Sequence, residues 1–231
     1  VKLTSFKTLI LSLPVWYLRF TFFNLRRMLM NKSFIIKIIL LCLVTIKVSA
    51  IEKVILFGDS LMAGYGLPNE QHLSVVLQDN LELEGHNIEI INGSVSGSTS
   101  AGGLNIAEWT LSESNIDLMI LGLGANDMLR GINPKETKNN LEEIIKIAKS
   151  KKIKVVIAGM VAPTSYGFSY KKSFDKIFFD LSKKYKLQLI PFLLEGVAQK
   201  PEFNLSDGMH PNAQGTIIIG NTLKKAILEN L

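Results

Sequence analysis

The feature that most constrains this chain is a recurring set of five short apolar runs: Val54–Phe57, Ile88–Ile91, Leu118–Leu121, Val155–Ala158 and Leu187–Ile190. Three of them contain no polar residue, which suits strands covered on both faces, as in a parallel sheet. Between the runs the pattern changes to a helical period. Leu141, Ile144, Ile145 and Ala148 fall at i, i+3, i+4 and i+7. Phe174, Ile177, Phe178, Leu181 and Tyr185 repeat that spacing, and Ile219, Leu223, Ala226 and Ile227 mark a last helix. Asn133-Pro134 offers an N-cap followed by proline at the first helical position. Strands alternating with helices, joined by right-handed crossovers, predict an α/β fold. Nothing in residues 51–231 reads as a linker, an internal repeat or a low-complexity tract, so they are expected to form a single domain.

Residues 1–50 read differently. They carry eight of the 26 Lys and Arg residues and none of the 20 Asp and Glu residues. The remainder holds 18 basic against 20 acidic residues, so the net charge of +6 belongs to the leader and is no argument for nucleic acid binding. From Met30 the chain resembles a secretory signal: Lys32, a nine-residue apolar stretch from Ile38 to Ile46, then Val48-Ser49-Ala50 with small residues at −3 and −1. Lys37 and Lys47 bracket a run far shorter than the roughly 20 residues of a membrane span, so cleavage after Ala50 and export to the periplasm or medium are expected. Residues 1–29 read as a start assigned too far upstream, with Met28 and Met30 as candidate initiators; a membrane-associated extension is the alternative. The only cysteine, Cys42, lies inside the signal-like stretch, which leaves no disulfide, thiolate metal site or cysteine nucleophile after cleavage. A monomer is expected.

In a parallel α/β sheet, ligands bind beyond the carboxyl ends of the strands. Four polar, glycine-bearing segments fall at that edge: Gly58–Gly66, Asn92–Ser100, Gly122–Asp127 and Asp207–Pro211. The connections at the other edge, such as Ser150-Lys151-Lys152, are merely hydrophilic. A serine hydroxyl becomes a useful nucleophile only beside a base that a third group orients. Of three histidines, His72 and His86 flank the helix that carries Leu73, Val76, Leu77 and Leu81, and both are expected at the surface. His210 sits in a turn with Asp207 three residues before it, a spacing that lets the carboxylate reach the Nδ1 side of the ring and leaves Nε2 for a proton. Ser60 follows the first strand. Asn126 could turn a side-chain N–H, and Gly97 a main-chain N–H, toward the same space, joining the Ser60 N–H as donors to an oxyanion. Each segment alone is an ordinary surface turn; their convergence on one edge is not.

These four segments resemble, in order and spacing, the consensus blocks of the SGNH-hydrolase (GDSL esterase/lipase) family. Gly58-Asp59-Ser60-Leu61 is similar to the first block, Gly97 to the glycine of the second, Asn126 in Gly-Ala-Asn-Asp to the third, and Asp207-x-x-His210 to the last. The surrounding text is similar to the bacterial periplasmic thioesterase/lysophospholipase/arylesterase branch, with Ser98 a departure where Asp is common. The resemblance implies a flavodoxin-like three-layer α/β/α fold with a five-stranded parallel sheet. It implies hydrolysis of acyl esters or thioesters, lysophospholipids among them, through an acyl-enzyme on Ser60, with no cofactor and no metal. It also implies catalytic roles for Ser60, Asp207 and His210 and an oxyanion hole of Ser60, Gly97 and Asn126. Met128, Leu129, Tyr166 and Phe168 are expected to offer the acyl chain an apolar surface. A carbohydrate O-acetyl esterase or an acyltransferase could use the same set, and a secreted binding module of the same fold would lack an activated serine. Nucleotide chemistry is disfavoured: Gly122-x-Gly124 lacks its third glycine and no phosphate-loop Gly-Lys motif occurs.

Overall fold

A computed structural model describes residues 51–112 and 115–231. The signal-like leader and Cys42 lie outside the described residues. Five parallel strands form one sheet in the order β2-β1-β3-β4-β5. They are β1 (Glu52–Gly58), β2 (Ile88–Asn92), β3 (Leu118–Gly122), β4 (Lys154–Ala158) and β5 (Gln188–Ile190). The helices are α1 (Ser60–Ala63), α2 (Leu73–Leu83), α3 (Ser100–Thr110), α4 (Ala125–Leu129), α5 (Pro134–Ser150), α6 (Phe168–Tyr185) and α7 (Ala213–Leu228).

The three wholly apolar runs are the three inner strands, whose side chains are covered from both sides. The two runs interrupted by Glu89 and Gln188 are the edge strands β2 and β5, where most side chains are only partly buried. Across the β1–β2 edge, Lys53 stands in register with Glu89 and pairs with it at 3.3 Å. Right-handed crossovers place α2 and α7 on one face and α3, α5 and α6 on the other. Asn133 caps α5 by accepting the Lys135 N–H at 2.9 Å, with Pro134 behind it.

Two glycines shape the carboxyl edge. Gly58 and Gly122 end β1 and β3 in register. A Cβ on Gly58 would lie 2.5 Å from Met62 Sδ and 2.9 Å from the Gly122 carbonyl, so only bare backbone lets α1 settle across the strand ends. Met62 fills the slot and is fully buried. The strand order reverses between β1 and β3, and the turns that follow these two strands carry Ser60 and Asn126.

Candidate active site

Ser60 is the first residue of α1. Asp59, its N-cap, accepts the Leu61 N–H at 3.1 Å. The Ser60 main-chain N–H belongs to the first turn, where amides lack intrahelical acceptors. His210 is brought to Ser60 from 150 residues away, with Nε2 3.0 Å from the hydroxyl oxygen. Its turn is built locally: Leu205 N–H donates to the His210 carbonyl at 2.8 Å, and Asn204 bridges to Pro211. Asn204 is buried and donates to the Val197 and Lys200 carbonyls, which ties the turn to the preceding loop.

Asp207 Oδ2 lies 2.6 Å from His210 Nδ1, while Oδ1 accepts the Met209 and His210 N–H groups at 2.9 and 3.0 Å. The two main-chain N–H groups, with the imidazole adding to them, lower the Asp207 carboxyl to about 2. An ionised carboxylate only accepts, so Nδ1 carries the ring proton and Nε2 is left to accept from Ser60. The Tyr65 ring covers the imidazole at a centroid distance of 4.4 Å.

Gly97 holds a left-handed backbone (φ 78°), and no atom would lie within 4 Å of a Cβ there, so space opens beside it. The Arg130 guanidinium donates to the Gly97 carbonyl at 3.1 Å. Asn126 Nδ2 donates to Asp59 Oδ2 at 3.3 Å, which fixes the plane of the amide. Asp59 is buried, and burial pushes its carboxyl up to about 6 against the lowering effect of its bonds from Leu61 and Asn126. Next to Asn126, the fully buried Asp127 accepts from the Ser100 N–H at 2.7 Å, from the Ser100 hydroxyl and from Thr137 Oγ1 at 3.0 Å. One carboxylate thus joins the starts of α3, α4 and α5.

A cleft of about 1010 Å³ opens beside Ser60 and His210. Met128 and Leu129 line it, as the apolar text after Asn126 predicts, together with Met160–Thr164, Phe192, Leu194 and Ala198. Tyr166 and Phe168 do not line it. Gly167, at φ 86°, turns the chain between them: Tyr166 donates to the Leu129 carbonyl at 3.3 Å, and Phe168 is 83% exposed at the start of α6. The surface placement expected for His72 also needs correction. It is half-buried, packs against the bare face of Gly64 and lies 3.1 Å through Nε2 from the Leu67 carbonyl. His86 keeps a partly exposed side chain beside Glu84, in keeping with the surface placement. Among the described residues, no group of three or more His, Cys, Asp and Glu side chains is arranged to hold a metal ion.

A sequence model of the GDSL-like lipase/acylhydrolase family matches residues 56–216. The chain belongs to that family. It is 37% identical over 182 residues to an arylesterase of Vibrio mimicus, covering 79% of this chain and 91% of the relative. It is 30% identical over 187 residues to thioesterase 1/protease 1/lysophospholipase L1 of Escherichia coli K12, covering 81% and 88%. The crystal structure of the psychrotrophic esterase EstA from Pseudoalteromonas sp., inhibited by monoethylphosphonate, superposes with a TM-score of 0.74 at 30% identity, over 77% of this chain and 97% of that one. The five-stranded α/β fold is the family's, and the protein is a hydrolase of carboxylic esters or thioesters. Membership in an enzyme family leaves no room for the bare binding module.

Proposed function

We propose that acyl esters and thioesters are cleaved through an acyl-enzyme on Ser60. The observation that carries this reading is the unbroken relay from Ser60 Oγ through the His210 ring to Asp207, at 3.0 and 2.6 Å. Ser60 Oγ attacks the acyl carbonyl as Nε2 takes its proton, and Asp207 stabilises the imidazolium. The Ser60 and Gly97 N–H groups and the second N–H of Asn126 Nδ2 receive the oxyanion, with Asp59 holding the first. His210 then gives its proton to the departing alcohol or thiol. Water repeats the cycle in reverse order and frees the acid.

The apolar lining by Met128, Leu129 and Met160 supports an acyl chain as the group bound, and aryl esters, acyl thioesters and lysophospholipids as candidate substrates. The signal-like segment before Ala50 supports export. No helix among the described residues is long and apolar enough to cross a membrane. Ser60→Ala should abolish turnover of p-nitrophenyl butanoate with the melting temperature little changed, and a fluorophosphonate should add its mass to the Ser60 peptide of the wild type alone. Turnover retained by Ser60→Ala, or label on another residue, would sink the assignment.

A further inference from the structure

The cleft has two apolar walls, Met128-Leu129 after β3 and Met160–Thr164 after β4, and side chains between Tyr166 and Asp175, at and just before the start of α6, tie both; one of them, Lys171, also lines the cleft. On the β4 side the tie is complete. Asp175 Oδ1 accepts the Ala162 N–H at 2.8 Å, and the Lys171 ammonium donates to the Ala162 carbonyl at 2.7 Å. Lys171 and Asp175 bond to each other at 2.7 Å, one helical turn apart. An ion pair on one helix thus grips both main-chain groups of a single buried loop residue. On either side of that residue, Val161 and Pro163 are exposed and face the cleft. On the β3 side Tyr166 and Tyr170 donate to the Leu129 and Ile132 carbonyls at 3.3 and 3.0 Å.

We propose that Lys171 and Asp175 are specificity-determining positioning residues: their grip on Ala162 sets where the Met160–Thr164 wall stands and hence how much of an acyl chain it can touch. The inference rests on Ser60 being the acylated residue, since that places the chain between these walls. Gly159 and the buried Met160 hold the base of the loop, but beyond them Val161 and Pro163 are exposed and no regular structure intervenes before the turn at Thr164–Tyr166, so the placement of Val161–Pro163 depends on this pair. A short acyl group has less chain to lay against the wall and should feel less of its movement. Long ones lose contact, and each methylene no longer buried weakens binding about fourfold.

The test compares p-nitrophenyl butanoate and decanoate on the wild type, Lys171→Met, Asp175→Asn and Lys171→Arg, with kcat and KM resolved for each. The decanoyl-to-butanoyl ratio of kcat/KM should fall at least fivefold in Lys171→Met and Asp175→Asn, through KM. Lys171→Arg, which keeps donors for Ala162 and Asp175, should stay within twofold of the wild-type ratio. A ratio that moves less than twofold in both disrupting variants, whatever happens to their melting temperatures, overturns the proposal. Should Lys171→Met not fold, Asp175→Asn carries the comparison, because its single amide oxygen cannot serve both the Ala162 N–H and the Lys171 ammonium, which Asp175 meets with separate oxygens. Fluorophosphonate labelling of the wild type separates the two hypotheses: failure to label Ser60 refutes the acyl-enzyme reading, whereas labelling with an unmoved chain-length ratio refutes only this one.

Discussion

Asp59→Asn removes a charge that the fold holds in an unfavourable place, and its effects on stability and on rate should have opposite signs. Burial raises the Asp59 carboxyl from 3.8 to about 6. A group whose folded value is raised costs nothing below its unfolded value, and stability falls as pH rises between the two. At 1.36 kcal/mol per unit, a rise of about two units makes the ionised carboxylate cost about 3 kcal/mol at pH 8, and about half of that at pH 5. Asparagine resembles the protonated acid, so the variant should melt about 6–12 °C above the wild type at pH 8. The gap should narrow by roughly half at pH 5. Thermal denaturation followed by circular dichroism at both pH values measures it. Turnover should drop about tenfold to a hundredfold, because an amide facing the Asn126 amide no longer fixes the N–H offered to the oxyanion. A variant no more stable than the wild type at pH 8, or a gap independent of pH, would refute the view that burial strains this carboxylate.

Asp207→Asn should lower kcat about 10³–10⁴-fold: Oδ1 keeps the Met209 and His210 N–H groups, so the new NH₂ faces Nδ1 and forces the ring proton onto Nε2. Retention of a tenth of wild-type turnover would contradict this. Because the Asp207 carboxyl sits at about 2, it stays ionised across the assay range, and a pH–rate profile of the wild type should show no limb from it above about pH 4. Asp127→Asn can keep its oxygen on the Ser100 N–H but then turns an NH₂ toward the Ser100 and Thr137 hydroxyls that donate to Asp127, and in this fully buried site it should cost about 2–3 kcal/mol, read as a fall in melting temperature of about 4–12 °C.

The inner strands were legible because burial on both faces leaves no room for a polar residue in Val54–Phe57, Leu118–Leu121 or Val155–Ala158. The glycine-rich turns could be assigned to one edge because a parallel sheet sends every strand end the same way. Other parts of the site have no local signature. Asp59 and Asp127 look like turn residues in the one-dimensional text; their burial depends on Asn126, Ser100 and Thr137 arriving from other segments. Tyr166 and Phe168 read as cleft residues until the left-handed backbone of Gly167 turns them aside. His72 reads as a surface residue until Gly64 leaves a hollow for its ring. Phe192, Leu194 and Ala198 follow neither a strand nor a helical period, so nothing in their spacing announces a cleft wall. A signal was nevertheless available, since they follow β5 at the edge where ligands bind.

The 150 residues between hydroxyl and imidazole also have a temporal meaning. Translation emits Ser60 150 residues before His210, which stands just ahead of the helix that rests on α2. On the proposed mechanism a chain released before His210 carries an inert alcohol, and acyl transfer needs both segments in place. Hydrolysis of a chromogenic ester is in that sense a reporter of completed folding, silent until these two distant segments have met.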